Sequence, residues 1–81
     1  MPSPGSVPLH LLPPGAAAKV VGMETGGPKR RRLLDLGFVP GAVVEVVRRS
    51  PFGDPTAYAI KGSVIALRRE DAAGILVRGD V

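Results

Sequence analysis

The sequence predicts a mainly β domain, a small and strongly curved barrel of about five strands with one short helix inserted after the first strand. Three observations carry that expectation. The apolar stretches are short, and each is bounded by proline or glycine; 9 prolines and 11 glycines in 81 residues is about twice average usage. One segment, residues 28–36, carries leucines at helical spacing between a helix-starting proline and a helix-ending glycine. Strands this short, left as an open sheet, would expose unpaired edges, so closure into a barrel is the natural arrangement.

Residues 1–7 read as a Pro/Gly/Ser leader, expected to be disordered, and residues 8–81 as the domain. Leu9, Leu11 and Leu12 begin an apolar patch that Pro13-Pro14-Gly15 breaks. Ala18, Val20 and Val21 beside Lys19 mark the first strand, over residues 16–23. Thr25-Gly26-Gly27 is a turn. Pro28 then opens the helix at a position where its missing N–H costs nothing, and Gly37 closes it as a left-handed cap. Leu33, Leu34 and Leu36 share an arc of about 160° and are expected to seal one side of the core. Arg31 and Asp35, four apart, are expected to pair in solvent.

Val39-Pro40-Gly41 has the spacing of a type II turn. Residues 42–49 form a strand with Val44 and Val46 on one face and Val43, Glu45 and Val47 on the other. Pro51-Phe52-Gly53-Asp54-Pro55 is a loop, since its prolines cannot join a ladder. Residues 56–60 and 63–67 are strands joined tightly by Lys61-Gly62. Residues 69–74 make a single helical turn ending at Gly74, and Ile75-Leu76-Val77 is the last strand.

Composition bounds the chemistry. The absence of cysteine excludes disulfides, iron–sulfur clusters and thiol nucleophiles. His10 is the single histidine and lies in an apolar stretch, where it reads as a partly exposed strand residue. The seven acidic residues are scattered, and none pairs at the spacing of an acid–base couple or a calcium loop. No phosphate-binding glycine loop is present, so the chain is not expected to hydrolyse nucleotides. These readings point away from an enzyme and away from any cofactor. The apolar runs are too short to span a bilayer, and the N-terminus lacks a signal-peptide pattern, so the expectation is a cytoplasmic chain.

The net charge of +4 points to an anionic partner. Its densest source is Lys29-Arg30-Arg31-Arg32. Lys29, Arg30 and Arg31, together with Phe52 on its proline-stiffened loop, are the candidate partner-binding residues: guanidiniums for an acidic surface and one aromatic anchor. A base-stacking platform is not evident, so nucleic acid is not the expected partner. A small basic barrel that binds nucleic acid is the alternative.

The string Arg32-Leu33-Leu34-Asp35-Leu36-Gly37-Phe38-Val39-Pro40-Gly41 resembles the R-L-x-x-L-G-[LF]-x-P-G signature of the ferrous iron transport protein A (FeoA) family. Leu11-Leu12-Pro13-Pro14-Gly15 is similar to the family's opening turn, and Ile65-Ala66-Leu67-Arg68 and Ile75-Leu76-Val77 to its closing segment. The resemblance implies an SH3-like barrel. It also implies a small cytoplasmic accessory of ferrous iron uptake that binds the membrane transporter FeoB through the transporter's cytoplasmic, GTP-binding part. That role involves no turnover and only peripheral proximity to the membrane. The resemblance also implies an alternative role as an iron-linked regulatory module, since a similar barrel recurs in iron-dependent repressors. Homo-oligomers and direct binding of iron are compatible with either role.

Overall fold

The computed structural model describes residues 5–79; residues 1–4, most of the expected leader, lie outside them. Six strands form one antiparallel sheet in the order β1-β6-β2-β3-β4-β5. They are β1 (Val7–Pro8), β2 (Ala17–Met23), β3 (Val43–Arg49), β4 (Thr56–Ile60), β5 (Ser63–Leu67) and β6 (Ile75–Arg78), with helix α1 (Gly27–Leu36) after β2 and the one-turn helix α2 (Arg69–Ala72) after β5. The strand missing from the sequence reading is β1. Val7, placed there in the leader, pairs with Val77 at the other end of the chain. A two-residue strand that ends in proline has no periodicity to read.

Alternation decides the faces of β3 as expected. Val44 and Val46 are fully buried, while Val43, Glu45 and Val47 are exposed. On β4 the buried set is Thr56, Tyr58 and Ile60, and the tight turn to β5 places Lys61 and Gly62 at positive φ (49° and 81°), the geometry that two-residue hairpins favour. Register shifts between Val20 and Gly22 and between Val46 and Arg48 bend β2 and β3, as bulges do, and wrap the sheet about its core. The edge strands β1 and β5 are joined by helical turns rather than a ladder. The 3₁₀ turn Leu9–Leu11 that follows β1 packs against α2, which follows β5, and Leu9 and Ala72 are both fully buried. His10 therefore sits in a 3₁₀ turn, not in a strand.

Helix α1 plugs the barrel differently from the arc predicted for its leucines. Leu33 is fully buried, Leu34 is half-buried, and Leu36 is 37% exposed. A barrel this narrow meets only the central line of the helix stripe. Phe38 supplies the rest of the plug: Gly37 adopts a left-handed conformation (φ 115°), reverses the chain and returns Phe38 to the core. The Val39–Ala42 turn follows as predicted, with the Ala42 N–H donating to Val39 O at 3.0 Å and Gly41 at φ 92°.

Candidate functional site

The first turn of α1 carries its cations on two faces. Lys29 and Arg32, three apart and so on one side of the helix, face α2. Lys29 Nζ lies 3.1 Å from Asp71 Oδ1, and Arg32 Nη2 lies 3.5 Å from Asp71 Oδ2. Asp71 is nearly buried, its side chain 13% exposed, so one carboxylate in a poorly hydrated position is shared by two of the four cations in the run and offsets one of their charges. Arg30 and Arg31 are exposed and, among the described residues, form no ion pair. They flank an open groove of about 450 Å³ that Gly27, Leu34 and Asp35 complete. Arg31 and Asp35 both border this groove without the expected pairing; the carboxylate that the helix cations use is Asp71.

The loop between β3 and β4 is held by its own hydrogen bonds. The Ser50 N–H donates to Pro55 O at 3.0 Å and the Gly53 N–H to Ser50 O at 2.8 Å. Ser50 Oγ donates to Asp54 O at 2.8 Å, and the Arg69 N–H donates to Asp54 Oδ1 at 2.8 Å. The Asp54–Pro55 peptide is cis. These bonds leave Phe52 at the tip, 95% exposed.

The four residues singled out from the sequence thus occupy two places. Lys29, Arg30 and Arg31 open α1, whereas the Phe52 loop leaves the sheet between Arg49 and Thr56. Between the loop and the start of α1 stands α2, which touches the loop through the Arg69 N–H and α1 through Asp71. Sequence reasoning missed a second basic group. Arg48 and Arg49 end β3, Arg68 and Arg69 follow β5, and the ladder brings both pairs to the loop end. The Lys61-Gly62 hairpin, counted outward residue by residue, holds half of that signal, bringing Leu67 opposite Thr56 and so Arg68 and Arg69 to the loop. The place of Arg48 and Arg49 depends on the bulged pairing of β3.

Among the described residues no group of three or more His, Asp or Glu side chains is placed to hold a metal ion, and no helix is long and apolar enough to cross a membrane.

Fold and surface together define a small β-barrel plugged by a basic helix, with exposed cations bordering open, shallow grooves. The family model for the FeoA domain matches residues 7–79, and the chain belongs to that family. It is 44% identical over 69 residues to a Porphyromonas gingivalis fusion of Fe(2+) transport protein A with the Fe(2+) transporter FeoB, covering 85% of this chain and 8% of that protein. The chain therefore spans a small fraction of that relative's length. The solution structure of FeoA from Chlorobium tepidum is similar at 37% identity and a TM-score of 0.86, over 93% of this chain and 71% of that one. FeoA from Stenotrophomonas maltophilia, crystallised with zinc and described as a prokaryotic SH3 domain protein, is similar at 32% identity and a TM-score of 0.76, over 85% and 86% of the two chains. The SH3-like barrel and the link to ferrous iron transport follow from these relationships.

Proposed function

We propose that this chain is a cytoplasmic accessory of ferrous iron uptake that binds FeoB through the transporter's cytoplasmic, GTP-binding part and modulates it without catalysing a reaction of its own. One observation carries this reading: in the P. gingivalis relative, a segment 44% identical to this chain is covalently joined to FeoB. Fusion holds two partners at high effective concentration, which benefits a weak regulatory contact more than a tight one. The surface that supports the contact is the start of α1. Arg30 and Arg31 are exposed beside the half-buried Leu34, their charges not balanced by an ion pair among the described residues, an arrangement suited to an acidic face with an apolar centre. Lys29 belongs to the same turn, but its ammonium is shared with Asp71, so its part in the contact is smaller. Phe52, on the loop beyond α2, stands apart from this surface.

The test is retention of FeoB's soluble cytoplasmic domain on immobilised protein. The double variant Arg30→Glu, Arg31→Glu should reduce retention at least about tenfold, since like charges across an interface repel, with an unchanged circular dichroism spectrum. Retention equal to that of the wild type would move the interface off α1.

A further inference from the structure

The barrel end that bears Phe52 is cationic and apolar at once. Arg49 pairs with Thr56 and Thr56 with Leu67, so Arg48, Arg49, Arg68 and Arg69 finish together, all exposed. Arg49 Nη2 donates to Leu12 O at 2.9 Å and to His10 O at 3.3 Å. These neutral acceptors fix the guanidinium without balancing its charge. Arg49 and Arg69 border an open hollow of about 320 Å³ with His10, Leu11 and Gly53. The carboxylates nearby are the half-buried Asp54, which accepts the Arg69 N–H, and the exposed Glu70. Among the described residues neither forms an ion pair with these arginines. Two apolar side chains stand at the rim: Phe52, 95% exposed, and Leu11, 60% exposed.

We infer that this end docks on an anionic phospholipid bilayer, with Phe52 and Leu11 entering the boundary between headgroups and acyl chains and the four arginines meeting lipid phosphates. A folded protein would need a socket shaped to a side chain exposed on nearly every side; a bilayer interface receives any apolar tip. The field of an anionic leaflet decays within about 10 Å at ordinary salt, so cations act only when they lie close to the inserted tips, as Arg49 and Arg69 do in the hollow shared with Leu11 and Gly53. Single-stranded nucleic acid would use stacked aromatics, and the other two aromatics, Phe38 and Tyr58, are buried. This contact is distinct from the transporter contact on α1, and its test requires no transporter.

The measurement is co-sedimentation of the full chain with vesicles of phosphatidylcholine, with and without phosphatidylglycerol. Binding should require phosphatidylglycerol and weaken with salt. Arg48→Gln and Arg69→Gln should each lower the partition coefficient about fivefold, and Phe52→Ser with Leu11→Ser at least about tenfold. Arg30→Glu with Arg31→Glu, on the other surface, should retain more binding than the Phe52, Leu11 variant. Because the chain has no tryptophan, Phe52→Trp gives an isolated fluorophore whose emission should shift to the blue on the mixed vesicles. Failure of the wild type to bind them, unshifted emission from the Phe52→Trp variant, or full binding by the Phe52, Leu11 variant would each overturn the proposal. So would loss of FeoB-domain retention in that last variant with vesicle binding intact, which would make the loop a protein contact.

Discussion

The Phe38 N–H donates to the Leu33 carbonyl at 3.1 Å, and the two side chains are fully buried. With the Gly37 N–H donating to Leu34 O at 3.0 Å, this is the paired closure of a Schellman turn, in which the residue after the glycine packs against the helix it has just left. Helix ending and core plug are therefore one device. Leu33→Ala should cost about 2–5 kcal/mol and Phe38→Ala about 3–5 kcal/mol, against a total stability of about 5–15 kcal/mol for a domain. Urea denaturation of both singles and the double should show coupling of about 0.5–3 kcal/mol. Strict additivity would mean the two side chains do not form one unit.

Gly74 supports the start of α1 from the opposite direction. Its carbonyl accepts the Glu24 N–H at 2.7 Å, and a β-carbon on it would collide with Thr25 Oγ1. Gly74→Ala should therefore destabilise by about 1–3 kcal/mol, the usual range for an overpacked position. In a Thr25→Ala background most of that loss should disappear. If thermal melts show the same penalty in both backgrounds, the collision is not its cause.

Asp71 is the hub between α1 and α2. Asp71→Asn keeps the shape but removes the charge that Lys29 and Arg32 share. Both cations are largely in solvent, 44% and 61% exposed, so screening holds the loss to about 1 kcal/mol. The difference from wild type should shrink between low and high salt. A loss of several kcal/mol, insensitive to salt, would indicate a packing role instead.

Elements whose signals are local were legible in the sequence. Helix α1 with its Gly37 stop, the Pro40-Gly41 turn, β4 and β5 about Lys61-Gly62, and the alternating faces of β3 all stand where the residues place them, because each rests on turn chemistry or periodicity within a few positions. What escaped depends on distant partners. Strand β1 exists only through its pairing with β6, Val7 with Val77 and Pro8 with Leu76. The outward position of Leu36 follows from the width of the barrel mouth, and the use of Asp71 rather than Asp35 by the helix cations follows from where α2 lies. Of the candidate binding residues, exposure of Arg30 and Arg31 was readable from a charged helix face, whereas Phe52 could equally have packed back on the barrel. Its 95% exposure is set by the loop's own hydrogen bonds. The separation of the two surfaces, and the gathering of Arg48 and Arg49 with Arg68 and Arg69, needed the register of the sheet.

Tyr58 gives a spectroscopic handle on the core. Its ring is 2% exposed, and burial raises the phenol above its ordinary value of 10.0, with Asp54 adding to the rise and the Thr56 hydroxyl and Arg49 guanidinium opposing it. Between 10.0 and the higher folded value, the unfolded chain has released a proton that the native chain still holds. The unfolded state binds fewer protons there, so stability falls as pH rises through that window and is unaffected by this group below it. Tyr58 is the single tyrosine, so phenolate absorbance reports it directly. The native titration should lie above the ordinary range and return to about 10 in concentrated urea. The stability decline is isolated by comparison with Tyr58→Phe, in which the part above about pH 10 due to the phenol should vanish. A native titration coincident with that in urea would place the ring in contact with water and remove Tyr58 from the wall of the core.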